Sequence, residues 1–167
     1  MKTYMTSTVV GLLLVVASLL PRAAQAQLQE VKQTVFGMDC APCAYAQENR
    51  LKAMEGVDEA SVSLNEGLAT VKFQPENEIT LEQIREAVRE SGFSPEEATL
   101  TLQGRLEEHD GQWVLVTSAG ERYRLEEVGE ITSIDTGVQA TVTGTVPEGK
   151  APEKGWSLQV TALNTQA

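Results

Sequence analysis

Polar and apolar residues alternate along this chain in two rhythms, a period of two that suits strands and a period near 3.6 that suits helices. Leu28, Val31, Val35 and Phe36 lead into Gly37-Met38 and predict a first strand over 28–38. Asp39 to Cys43 reads as a loop, with Pro42 where a first helical turn tolerates proline. Ala44 to Met54 predicts a helix that Gly56 is placed to end. Ala60, Val62 and Leu64 alternate with polar residues, Asn65-Glu66-Gly67 is a hairpin turn signal, and Ala69, Val71 and Phe73 alternate again in a returning strand. Thr80-Leu81-Glu82-Gln83 is a capping box, and Leu81, Ile84, Ala87 and Val88 fall on one face of the helix it opens. Gly92 ends that helix, and Ala98, Leu100 and Leu102 predict a further strand. The order is βαββαβ, the ferredoxin-like split arrangement.

The second part of the chain changes character. His109-Asp110-Gly111 supplies a turn, Trp113 to Thr117 a well-buried strand, and Ala119-Gly120 a turn into Arg122-Tyr123-Arg124-Leu125. The mixed stretch up to Gly137 has room for a short helix. Val138, Ala140, Val142 and Gly144 alternate, a Pro/Gly/Lys-rich loop runs from Pro147 to Gly155, and Trp156 to Leu163 predicts a last strand. Several short strands in this space suggest a small barrel or curled sheet. No Gly/Ser linker parts the two halves, so the strand near Leu100 can run from one into the other. The expected fold class is α+β: a ferredoxin-like βαββαβ domain over 27–99, followed by a small all-β, OB-like barrel over 100–167.

The first 26 residues stand apart. Lys2 gives a positive start, Val9 to Leu20 is an apolar run, Pro21 breaks it, and Ala24-Gln25-Ala26 offers the small residues of a cleavage site. This is the build of a secretory signal peptide over 1–26. Its rival is a membrane anchor, but a run of about 12 residues falls short of the ~20 needed to span a bilayer. The expectation is therefore cleavage before Gln27, a periplasmic or secreted mature chain, and no stable membrane insertion. Cleavage removes Lys2 and Arg22, leaving 11 basic against 24 acidic residues. Such a balance repels nucleic acid, which is bound through clustered Lys and Arg. The acids are scattered, so a plain acidic surface explains them better than attraction for cations or a basic partner does.

Cys40 and Cys43 are the only two cysteines. A disulfide across two intervening residues closes a tiny loop and removes little unfolded-chain entropy, so metal binding or redox chemistry explains the pair better than stapling. Two thiolates at a helix N-terminus meet unpaired backbone N–H groups and the positive end of the dipole. Paired sulfurs suit soft ions such as Cu(I) and Hg(II), and Zn(II) or Cd(II) with added ligands. Asp39 is a candidate extra ligand or, equally, a loop and cap acid. Met38 is expected to point into the core, and Gly37 to permit the bend. The single histidine, His109, reads as a surface turn residue, and Trp113 and Trp156 as core.

With these residues in place, 31–97 resembles the heavy-metal-associated domain of copper chaperones, mercury-binding periplasmic proteins and metal-pumping ATPases. The resemblance is carried by Gly37-Met38-x-Cys40-x-x-Cys43, by Leu51 with Gly56-Val57, and by Ser91-Gly92-Phe93. It implies a βαββαβ fold that holds one metal ion through Cys40 and Cys43, with Phe93 in the loop beside the metal as a shield. Asp39 resembles the residue of zinc, cadmium and lead handlers at that place. Gln47 departs from the family pattern, which has Val or Ile facing the core there; either the helix rolls or the amide reaches toward the loop.

The leading expectation is a non-enzymatic carrier or scavenger of one soft metal ion, passing it to a membrane metal transporter or another metal-binding protein. Thiol–disulfide exchange is the second reading. A metal-responsive adaptor acting through the C-terminal β region is the third. No Ser/His/Asp set, carboxylate pair or phosphate loop is visible, and one histidine with two cysteines leaves a catalytic three-ligand metal centre hard to assemble.

Overall fold

A computed structural model describes residues 27–126 and 136–165. The expected signal segment, and the stretch expected to have room for a short helix, lie wholly or mostly outside them. The elements run β1 (Gln27–Phe36), α1 (Ala41–Lys52), β2 (Val57–Ser63), β3 (Leu68–Phe73), α2 (Leu81–Glu90), β4 (Ser94–His109), β5 (Gln112–Val116), β6 (Arg122–Glu126), β7 (Gln139–Val146) and β8 (Trp156–Thr165).

The first six elements build the expected βαββαβ unit. Its strands lie in the order β2-β3-β1-β4, all antiparallel, with Val31 opposite Val71 on one side and Leu100 on the other. Alternation does the positioning: Leu28, Val31, Val35, Ala69, Val71, Ala98 and Leu100 are all buried. The capping box forms as the sequence predicts. Thr80 Oγ1 accepts from the Gln83 backbone N–H, and the Gln83 side chain meets the Thr80 backbone N–H. α1 begins a turn earlier than expected, at Ala41, because Cys40 caps it and Pro42 sits within the first turn, where it loses no helical bond.

β4 is the long element of the fold, at 16 residues. Its edges are shared. β1 pairs with residues up to Gln103 on one side, β7 pairs with Ala98–Arg105 on the other, and β5 pairs with Arg105–His109. The strand thus runs through position 100, where the sequence suggests a change of region. Beyond it the strands close a ring, β4-β5-β6-β8-β7 and back to β4, with β6 and β8 parallel and the other pairs antiparallel. Close approach at β8 needs glycine. Gly155 has φ +86°, and a Cβ there would collide with the Arg122 carbonyl oxygen. One continuous apolar cluster joins both parts, from Val31 and Ile84 through Leu100 and Leu102 to Leu158 and Trp156. Trp156 is core as expected, whereas Trp113 is only half-buried at the margin of the cluster.

α2 carries the connection between the two parts. The sequence places Leu81, Ile84, Ala87 and Val88 on its buried face, and they are buried. Arg85 is buried with them, with no exposed surface. Its guanidinium donates to the backbone carbonyls of Glu96 (2.9 Å), Pro147 (2.9 Å), Gly149 (3.0 Å) and Val146 (3.4 Å) and to Gln33 Oε1 (3.1 Å). It also lies 4.8 Å from the centre of the Trp156 ring. Burial pulls its pKa below the ordinary value, opposed by the nearby Glu82 carboxylate. Glu121 makes the second tie. Its carboxylate accepts from the Leu81 backbone N–H at the start of α2 (2.8 Å), from Tyr123 Oη (2.7 Å) and from Trp156 Nε1 (3.1 Å). Burial, with Glu121 alongside, raises the Tyr123 phenol well above its usual range.

Arg85→Met keeps the aliphatic stem but removes a donor from four carbonyls and from Gln33 Oε1; Glu96 keeps the Gln33 amide and Gly149 the Arg89 guanidinium, while Val146 and Pro147 lose theirs. We expect a loss of about 2–4 kcal/mol. In thermal unfolding followed by circular dichroism this reads as a midpoint lower by roughly 10 °C.

Candidate metal site

The loop between β1 and α1 is shaped by its own residues. Gly37 adopts φ +87°, a conformation that costs other residues, and nothing lies within 4 Å of the place a Cβ would take. The turn sends Met38 inward, where it is 7% exposed, as expected of a core residue. Cys40 is the N-cap of α1. Its sulfur accepts from the Cys43 backbone N–H at 3.2 Å, and its carbonyl accepts from the Ala44 N–H at 3.1 Å. Cys43 lies in the first turn, so both sulfurs sit at the amide-rich end of the helix, half-exposed to solvent.

The two sulfurs are joined as a disulfide, with their Cα atoms 5.1 Å apart. They are therefore neither splayed nor sealed in the interior. A metal ion requires the reduced pair. Among the described residues no set of three His, Cys, Asp or Glu side chains gathers as a metal site, so the sulfurs stand as a pair. Asp39, beside Cys40, is exposed, and Phe93 is partly buried against the core. His109 is exposed, as expected, but it is the last residue of β4, paired with Gln112, and the turn begins after it at Asp110; its Nε2 lies 3.0 Å from Glu107 Oε2.

A cleft of about 440 Å³ opens beside Cys43, lined by Pro42, Ala46, Gln47, Arg50, Ser91 and Phe93. Its walls come from α1 and from the turn that ends α2. Arg50 of α1 and Glu90 of α2 form an ion pair across the two helices. Glu48, on the far side of α1, accepts from Lys52 and from the Val62 backbone N–H, and these contacts hold its carboxyl below the usual range. Tyr45 and Phe36 are 68% and 66% exposed, large apolar groups left uncovered on α1 and at the end of β1.

Gln47 does not behave as the sequence suggests. Neither a roll of the helix nor a reach into the loop relieves it. Its side chain is fully buried, and neither Oε1 nor Nε2 has a hydrogen-bond partner in the protein. An orphaned buried amide costs on the order of 1–3 kcal/mol.

The heavy-metal-associated domain model matches residues 33–94, the span that holds this loop. The copper chaperone CopZ of Staphylococcus saprophyticus is 36% identical over 59 residues, which cover 35% of this chain and 85% of that relative. The chain belongs to the heavy-metal-associated domain family. Human copper-transporting ATPase 2 is 42% identical over 59 residues, and these are only 4% of the human protein's length. This chain thus spans a small fraction of the transporting ATPases it matches. Among solved structures, a CopZ metallochaperone aligns with 40% of this chain and 97% of its own, at 27% identity and a TM-score of 0.37. The heavy-metal-associated unit is followed here by the additional β strands of the ring, which lie outside the matched span.

A loop of this size constrains the unfolded chain weakly. Reducing the disulfide is expected to cost no more than about 2 kcal/mol. Thiol counting should rise from none to two per chain on reduction, with the circular dichroism spectrum unchanged.

Proposed function

We propose that the protein is a non-enzymatic carrier or scavenger of a soft metal ion, copper(I) foremost, held by Cys40 and Cys43 once a thiol reductant has given the disulfide two electrons and two protons and left as its own disulfide. The observation that carries this reading is the half-exposed sulfur pair at the N-terminus of α1, inside a unit of the heavy-metal-associated family. The family members named as copper chaperones and copper-transporting ATPases support copper over zinc, cadmium or mercury. Helix-end amides favour the negative charge of a thiolate complex. Solvent access lets an incoming thiolate bind the ion before a departing one leaves, which is the requirement for handing it on. The partner we infer is a membrane metal transporter or a second metal-binding protein. Asp39 is positioned in sequence to approach a harder ion, and Phe93 to shield the site.

We further read the ring as a small OB-like barrel. Its five-strand closure, with the third strand of the ring parallel to the fifth, supports this. The basic start, short apolar run and Ala-Gln-Ala of residues 2–26 support export with cleavage before Gln27.

A second reading, thiol–disulfide exchange, is favoured by the oxidised pair itself. The two separate cleanly. Anaerobic titration of reduced protein with Cu(I) should give one tight equivalent that Cys40→Ser or Cys43→Ser weakens at least a hundredfold; the site holds an ion by two bonds of comparable strength. Turnover of a disulfide substrate without such binding would favour exchange. For export, N-terminal sequencing of the mature protein should begin at Gln27; a retained Met1 would refute it.

A further inference from the structure

Gln47 is buried one helical turn beyond Cys43 with both amide atoms unpartnered. Among the described residues the other buried polar or charged ones, Gln33, Asn77, Arg85 and Thr117, are each hydrogen-bonded. An orphan amide is thus out of keeping with the rest of this interior. Its place is also specific. Residues four apart share a helix face, and helical side chains lean toward the N-terminus, so a side chain at 47 lies over the turn that carries Cys43. Both residues line the same cleft.

The orphan occurs with the sulfurs oxidised. A disulfide sulfur is a feeble acceptor. A thiolate carries a full charge and accepts strongly. We propose that Gln47 is a positioning residue of the sulfur site, whose Nε2–H donates to the Cys43 thiolate and thereby favours an ion whose two-thiolate complex keeps a net negative charge. Two thiolates with Cu(I) leave one negative charge, whereas with Hg(II) or Zn(II) they leave none. An N–H donor stabilises the first more than the others. The ion preference rests on the carrier reading above; the hydrogen bond does not.

The test uses Gln47→Leu, of similar size and without donors. Metal-free protein is equilibrated with reduced and oxidised glutathione at one pH, and the thiol fraction is read by alkylation and mass spectrometry. In this exchange two glutathione thiols give up two electrons and two protons as glutathione disulfide, and the Cys40–Cys43 bond takes them up. The variant should favour its disulfide about tenfold more than the wild type, a shift of about 30 mV. Its thermal midpoint should hold or rise, because the orphan amide is gone, which a merely structural role for the exchange shift would not give. An exchange constant within about twofold of wild type overturns the hydrogen bond. In competition titrations the variant should lose about tenfold in Cu(I) affinity and less than about threefold for Hg(II). Equal losses overturn the ion preference. An exchange difference between variant and wild type, with a wild type that binds neither ion, overturns the carrier reading and supports the hydrogen bond. Should Gln47→Leu fail to fold, Gln47→Met carries the same comparison.

Discussion

The guanidinium of Arg85 ties the second helix to the rest of the molecule. A buried cation is expensive unless its donors are met, and here they are met by neutral carbonyl oxygens, one amide oxygen and an aromatic face. Those partners come from β1, from the start of β4, from the end of β7 with the loop after it, and from the first residue of β8. A single side chain therefore fixes α2 against four separate segments. Glu121 repeats the logic at the other end, taking N–H and O–H donors from the helix start, β6 and β8. The turn that ends α2 supplies Ser91 and Phe93 to the cleft beside Cys43, so the placement of the helix is also the placement of one wall of the site.

The site itself is built with little investment in the fold. One of its sulfurs, that of Cys40, caps a helix, its loop bends at one glycine, and Met38 anchors the loop from below. Nothing in this arrangement needs the two sulfurs to be joined, since so short a bridge restricts the unfolded chain weakly. Stability is drawn from the apolar cluster and from the Arg85 and Glu121 ties, which secure the other helix. Chemistry at the sulfurs and integrity of the fold are thus separable quantities.

What could be read from the sequence is what is local. The capping box at Thr80, the alternation of Ala60–Leu64 and Ala69–Phe73 and the Cys-x-x-Cys beside a helix start depend on residues within a few positions of one another, and each forms, with the strand edges shifted by one to three residues and the first helix starting a turn early. Arg85 was not legible, because on a helical wheel an arginine among Leu81, Ile84 and Val88 reads as polar margin. Its burial is made tolerable by distant acceptors, the carbonyls of Val146, Pro147 and Gly149 some sixty residues on and Gln33 some fifty residues back, together with Glu96. Gln47 was recognised as a misfit, but its fate depends on what surrounds it in space. The ring was visible as a set of short strands. Its closure through a β4–β7 ladder and a parallel β6–β8 pair is a long-range fact with no local signature.

β4 passes without a break from the heavy-metal-associated unit into the ring, paired on both edges along much of its length. The two regions therefore share a spine and cannot pivot about a tether as beads on a string do. Whatever grips the ring would see the sulfur pair at a constant bearing and reach. For the same reason the metal-family segment cannot be lifted out at residue 99 as an independent cassette. The cut would expose Leu100 and Leu102 and leave β1 with an unzipped neighbour.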